Sequence, residues 1–378
     1  MLNRYLIKNG TRMSILDGSE EQCDILVEDG RIARIARQID PAGAEVLDAE
    51  GMYVSTGWLD AHCHFARIGD STGIDPCRDL LCQGITYAVD LCTLGPDEYD
   101  GYRERFLYQT DLKFMSYLYI GHLGVVGKAK PRDFDGPGDI IPDRVVQVAK
   151  KYRHELLGLK ARIDDKFCFD PEYVMNQLRA LGDELDMPIA VHAPRSRMGI
   201  GQVLSYLKKG DVLCHTLAGN SDMMRVIDDQ GHVKPCVLEA RERGVIFDLS
   251  HGTNAYSYDT AEAAWKAGFF TDTISSDLHA GNINGPVYNL GVVLSKIRGL
   301  TGRPWSWILH KTIAEPVRLQ HIPNKAVEVR EGMICDLTVF KVEEGAFTYL
   351  DSKKESRTFR EKLTAVYTCT GPKVYVCR

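Results

Sequence analysis

The sequence predicts an α/β protein, a (β/α)8 barrel with a small composite β-sandwich formed by the N- and C-terminal segments. Three observations carry this reading. Short β-like runs alternate with helix-like segments through the middle of the chain, which is the pattern of a parallel sheet with crossover helices. Both ends instead carry strand-like runs separated by tight turns. The 378 residues exceed the roughly 250 of a bare barrel by about one small domain.

The N-terminal unit, residues 1–52, opens with Tyr5-Leu6-Ile7 and continues through Asp24-Ile25-Leu26-Val27-Glu28 to Asp29-Gly30, a dipeptide that favours a two-residue hairpin turn. Residues 53–322 form the barrel. Its strands are expected at 59–65, 88–91, 115–119, 157–160, 189–192, 212–215, 245–248 and 273–277. Helices fit at 142–152 and 171–185, each opening on a proline, and the second stops short of Pro188. Residues 323–378 return to the sandwich through Asp336-Leu337-Thr338-Val339-Phe340 and Lys373-Val374-Tyr375-Val376-Cys377.

Composition narrows the function. Hydrophobic residues make up 44% and charged residues 26%, which is ordinary for a folded domain. A net charge of −6 with both signs interspersed offers no basic stripe for a phosphate backbone, so nucleic acid is not an expected partner. The eleven cysteines are odd in number and form no Cys-x-x-Cys pair, which favours reduced thiols. No apolar run approaches a membrane span, and the first residues lack a signal-peptide core. These features predict a cytoplasmic protein without membrane contact that acts on a small molecule; they allow a homo-oligomer.

The chemistry begins at Asp60-Ala61-His62-Cys63-His64. In a strand, His62 and His64 leave the same face, where two imidazoles can hold one metal, while Cys63 points away. Such a pair is common by chance. Its weight comes from four later strand-like runs that also end in a possible ligand: Lys160, His192, His215 and Asp277. Each stands at the carboxyl end of its run, where barrel enzymes gather their reactive groups. Taken alone, Lys160 also reads as a rim ion pair and Asp277 as a helix N-cap.

The set and its order resemble the amidohydrolase superfamily, which combines His-x-His on the first strand, Lys on the fourth, His on the fifth and sixth and Asp on the eighth. More closely, the chain is similar to the dihydroorotase-like amidohydrolase and deacetylase branch. That likeness lies in Gly158-Leu159-Lys160-Ala161-Arg162, Ser250-His251-Gly252-Thr253-Asn254-Ala255-Tyr256-Ser257-Tyr258, Ser276-Asp277-Leu278-His279-Ala280-Gly281-Asn282-Ile283-Asn284-Gly285-Pro286, and Gly332 through Phe340. The resemblance spans essentially the whole chain. It implies two divalent metal ions, with His62, His64 and Asp277 on one and His192 with His215 on the other. It also implies that Lys160 is carboxylated by CO2 and shared between them, because a free ammonium repels cations whereas a carbamate oxygen binds them. Zinc suits the imidazole and carboxylate donors, and manganese or iron could use the same ones.

The implied reaction is attack of a metal-bridging hydroxide on an amide or ester carbonyl, with Asp277 carrying the proton to the leaving group. Arg162 stands two residues beyond Lys160 on the same strand face. It suits a substrate carboxylate, which a guanidinium grips with two parallel hydrogen bonds, and it equally suits a salt bridge to a neighbouring loop. His251, Gly252, His279, Asn282 and Tyr288 follow the seventh and eighth strands and are expected either to touch substrate or to lock the loops. The expected substrate is a small carboxylate-bearing acyl compound, as for a deacetylase. Ring-opening of a cyclic amide is the close alternative. Nucleobase deamination and a non-catalytic scaffold fit less well, because Lys160 and every other ligand position are filled.

Overall fold

The computed structural model describes residues 3–66, 72–105, 110–125 and 132–377. Both predicted units are present. The terminal unit is one mixed eight-stranded sheet, built from β1 (Arg4–Met13), β2 (Glu20–Glu28), β3 (Arg31–Ala36), β4 (Glu45–Asp48) and β5 (Tyr53–Thr56) at the N-terminus. The barrel strands follow as β6 (Trp58–Cys63), β7 (Ile85–Leu91), β8 (Lys113–Tyr119), β9 (Leu156–Arg162), β10 (Ile189–His192), β11 (Val212–Cys214) and β12 (Ile246–Phe247). The chain then returns to the first sheet through β13 (Asp336–Leu350), β14 (Ser356–Thr370) and β15 (Lys373–Val376). The terminal sheet runs β15-β14-β13-β5-β1-β2-β3, with β4 paired to β1. Asp29 and Gly30 both take positive φ, the geometry of the expected hairpin turn. Tyr53–Thr56 pairs with β1 and β13, so the chain crosses into the barrel at Gly57.

The parallel order β6 to β12 accounts for seven barrel strands. The eighth, at 273–277, does not form a continuous ladder. It closes the circle through Leu249 N to Thr273 O and Gly252 N to Ser276 O on one side, and Asp277 N to His62 O on the other. The physical reason is local: Ser276 N donates to the Asp60 carboxylate at 3.1 Å, and the hydroxyls of Thr273 and Ser275 donate to Asp248, both at 2.6 Å. Side-chain acceptors replace part of the ladder here.

Helices α1 (Tyr99–Arg105), α2 (Pro142–Lys151), α3 (Pro171–Leu185), α4 (Gly199–Ser205), α5 (Pro235–Glu242), α6 (Tyr258–Lys266) and α7 (Leu290–Thr301) fill the crossovers, followed by α8 (Trp305–Leu309) and α9 (Glu315–Leu319). The α3 helix shows why its predicted bounds hold: the Asp170 carboxylate accepts from the N–H groups of Glu172 and Tyr173, Pro171 needs no donor partner, and Asp186 ends the helix in the left-handed region. Its inner face buries Val174, Met175, Leu178 and Leu181. All eleven cysteines are free, and Cys63 is buried with its thiol toward the Val89 carbonyl. Among the described residues, no helix is long and apolar enough to cross a membrane.

A buried ion pair of the C-terminal segment meets the barrel at Thr86. Lys325 Nζ lies 2.9 Å from Asp336 Oδ2, with both side chains almost wholly buried, and the Asp336 carboxylate also accepts from Thr86 at the start of β7. Gly57 passes so close that a Cβ there would lie 2.2 Å from both the Asp336 and Thr86 oxygens. Asp336→Ala leaves the ammonium buried without its counter-ion, so equilibrium denaturation should show a loss of about 3–5 kcal/mol. The double replacement Lys325→Met with Asp336→Leu should recover most of it. A single variant within about 1 kcal/mol of the parent would show that the pair contributes little to the fold.

Candidate metal centre

The six expected ligands converge at the carboxyl ends of the barrel strands. His62 stands in β6, with His64 just beyond it; Lys160 lies in β9, His192 ends β10, His215 follows β11 and Asp277 ends the eighth run. His64 Nε2 is 2.9 Å from Asp277 Oδ1 and His62 Nε2 is 3.5 Å from the same oxygen. His215 Nε2 lies 4.0 Å from Asp277 Oδ2, and the His192 and His215 rings are 4.3 Å apart. His215, Ser250 and Asp277 have φ of 62°, 44° and 51°, uncommon for residues other than glycine and concentrated where strands must turn their ends toward one point.

The protons of these imidazoles can be assigned from their outer partners. Thr93 Oγ1 donates to Asp90 at 2.9 Å, so it can only accept from His64 Nδ1 at 3.0 Å. Ser250 Oγ likewise donates to Asp248 and accepts from His62 Nδ1 at 2.9 Å. His215 Nδ1 donates to the Ser250 carbonyl at 2.8 Å. Each ring therefore spends its proton outward and presents the bare Nε2 lone pair inward.

Lone pairs that face a carboxylate oxygen at 2.9 and 3.5 Å repel unless a cation lies among them. His62, His64 and Asp277 offer three ligand atoms all within 4.8 Å of one another. His192 adds a buried Nε2 without any hydrogen-bond partner. This donor set fits divalent metal, with outer hydrogen bonds that fix each ring as in known metal sites. Burial lowers the His62 and His215 imidazoles to about 4 and about 3, and holds His192 well below the usual histidine range. All three are neutral at pH 7.

Lys160 is 1% exposed, and its ammonium donates to Cys214 Sγ at 2.7 Å. No carboxylate among the described residues lies within 4.0 Å of it. Arg162 Nε and Nη2 grip Asp133 Oδ2 and Oδ1, both at 2.6 Å, its guanidinium carbon lies 3.7 Å from the centre of the Phe167 ring, and Tyr119 donates to Asp133 as well. The salt bridge offered as the plainer alternative is the arrangement found.

The loop residues divide. Asn282 is fully buried; it accepts from His279 N at 2.9 Å and donates to the Asp277 carbonyl at 2.8 Å. His251 is also fully buried, with both ring nitrogens engaged. These two take the loop-locking place rather than the substrate-contact one, because their polar atoms are spent on protein. Gly252 has φ +59°, and a Cβ there would fall 2.3 Å from Asp277 Oδ2, so only glycine lets the backbone pass. His279 lies beside His64, with ring centres 6.1 Å apart. Its Nδ1 accepts from Gly281 N, which leaves Nε2–H to donate to Thr253 at 2.9 Å. Tyr288 is half-buried against Gly285 and Tyr349.

Sequence reasoning missed the outer partners Asp60, Asp90, Thr93, Asp248 and Ser250. Burial pushes the Asp60 carboxyl up to about 7 even though Ser276 and the His62 N–H donate to it. The available signal was a charged residue at the end of an otherwise apolar strand run, as in Val245-Ile246-Phe247-Asp248.

No protein-family model matches the chain. It is 26% identical over 384 residues to a deacetylase of Enterococcus faecalis, covering 98% of each chain. A crystal structure of a dihydroorotase superposes with a TM-score of 0.89 at 24% identity, covering 99% of this chain and 98% of the other. An adenine deaminase structure does so with a TM-score of 0.86 at 25% identity, covering 98% and 99%. The fold, the candidate metal-binding His-His-Asp group and these relatives indicate the amidohydrolase superfamily. Those relatives support a metal-dependent amidohydrolase.

Proposed function

We propose that the chain is a deacylase that cleaves an amide or ester bond in a small carboxylate-bearing substrate, with two divalent ions, zinc first among them, at the barrel mouth. The observation that carries this is the inward set of bare imidazole nitrogens around the Asp277 carboxylate, each with its proton spent outward. His62, His64 and Asp277 would hold one ion and His192 with His215 the other. Lys160 would serve both once its amine has added to CO2, a step that forms the N–C bond, releases a proton and leaves an anionic carbamate. When bound, the ions acidify water and polarise a carbonyl.

The remaining chemistry belongs to the chain. Asp277, as a carboxylate, takes the proton of the attacking water and returns it to the departing amine or alkoxide. Gly252 brings the peptide backbone against Asp277 Oδ2 without a side chain in the way. Thr93, Ser250 and the Ser250 carbonyl keep the rings from rotating. Arg162 comes to a substrate already neutralised by Asp133 and fixed on Phe167, so a carboxylate competes with Asp133 for the guanidinium.

The similarity to a deacetylase along nearly the full length favours a linear acyl group. The similarity to a dihydroorotase structure keeps ring-opening of cyclic amides as the second reading. A screen of N-acyl amino acids, O-acyl hydroxy acids and cyclic amides with zinc-loaded protein should find turnover among the acyl compounds. Turnover confined to cyclic amides would overturn the preferred reading.

A further inference from the structure

One buried cation lies outside this chemistry. Lys296, on α7, is fully buried on a helix whose neighbours Val292, Val293, Leu294 and Ile297 pack in the core. Its Nζ stands 3.0 Å from His251 Nε2, 2.6 Å from the Pro286 carbonyl and 2.8 Å from the Leu350 carbonyl. An ammonium has three donors and no acceptor. Here the three go to three separate segments: the loop after β12, the loop after Asp277 and the end of β13.

The imidazole between them has one consistent protonation. His251 Nδ1 faces the Gly252 carbonyl at 3.0 Å. That oxygen can only accept, so Nδ1 carries the proton and Nε2 accepts from Lys296. Burial lowers the Lys296 ammonium to about 7 while Asp351 draws it back up, and the three acceptors around Nζ favour the charged form. Were the amine neutral, its lone pair would call for a proton on His251 Nε2, and Nδ1 would then face the Gly252 oxygen bare.

Each branch ends at Asp277. Gly252 N donates to Ser276 O at 3.0 Å, and the Gly252 backbone lies against Asp277 Oδ2. Pro286 shares its loop with Asn282, which donates to the Asp277 carbonyl. Next to Leu350, the turn between β13 and β14 reaches over the same loop: Ser352 Oγ accepts from the N–H groups of Ala255 and Tyr256, both at 3.1 Å, and donates to the Gly252 carbonyl at 3.2 Å. Asp351 Oδ2 accepts from Tyr258 N at 3.0 Å.

We propose that Lys296 is a positioning residue for Asp277: by donating to His251 Nε2 and tying the β13–β14 turn to the loops after β12 and the eighth strand, it keeps Gly252 seated against the Asp277 carboxylate. The kinetic part of this rests on the proposed hydrolase function; the protonation of His251 does not.

The test uses the full-length, zinc-loaded protein with 15N-labelled histidine, the His251 signals being assigned with His251→Gln. In the parent, His251 should show the Nδ1–H form. Lys296→Met keeps the length of the side chain but no donor, and should shift the His251 Nε2 resonance toward that of an imidazole nitrogen without a hydrogen bond, while Nδ1 keeps its proton on the Gly252 carbonyl. The same variant should lower kcat on the best acyl substrate roughly 10- to 100-fold, as expected for a displaced reactive group, with KM within about twofold and metal content unchanged. An Nε2–H form of His251 in the parent, which needs no variant to fold, would overturn the proposal. So would a Lys296→Met protein with parental kcat, or a loss in KM alone. If the parent turns over none of the substrates, the hydrolase reading fails, and the His251 spectra still decide the placement of Lys296.

Discussion

Asp277→Asn should lower kcat/KM by about 10³-fold, in line with the loss of a positioned general acid and base. The amide keeps the shape of the side chain, and its oxygen can still lie near His64 and His62. It cannot accept the proton of the attacking water, and it removes a negative charge that would balance a bound cation. Circular dichroism should remain that of the parent, because the Asp277 backbone is held independently through His62 O and Asn282 Nδ2. Metal content, measured alongside, should fall less than activity. Activity within tenfold of the parent would remove Asp277 from the proton path.

Lys160→Ala should reduce the bound divalent metal from two equivalents to one or fewer and abolish most turnover. Once carboxylated, the lysine supplies an anionic donor on the His192 and His215 side, where the Asp164 carboxylate, 3.9 Å from His192 Nε2, is already engaged by Arg195. Without it two neutral imidazoles must hold a doubly charged ion, and two ions would face each other with Asp277 alone to offset their repulsion. A related outcome needs no mutation: metal-free protein given zinc in CO2-free buffer should stay inactive until bicarbonate is added. Two equivalents of metal and full activity in the alanine variant would sink the shared-lysine scheme, as would reconstitution indifferent to bicarbonate.

Much of this was legible in the chain because it follows from local rules. The alternation of short apolar runs with helical segments, the Asp29-Gly30 turn and the proline-opened α2 and α3 depend on periodicities and dihedral preferences confined to a few residues. The candidate ligands were legible for a similar reason. A barrel places the carboxyl end of every parallel strand on one rim, so six polar residues at strand ends become neighbours as soon as the fold is accepted.

What the sequence could not decide depends on contacts between residues far apart in it. Arg162 reads identically as a substrate anchor or as a partner for Asp133; only the packing of residues 133 and 167 beside β9 shows it gripped and stacked. His251 and Asn282 sit in loops that suggest substrate contact, yet tertiary burial turns their polar atoms onto Lys296 and the Asp277 backbone. The protonation of His62, His64 and His215 was hidden for the same reason, since Thr93, Asp90, Asp248 and Ser250 come from other strands. A pattern along the chain specifies where a side chain starts and which face it leaves from, whereas its partner, its proton and its role are set by groups that meet it only after the barrel closes.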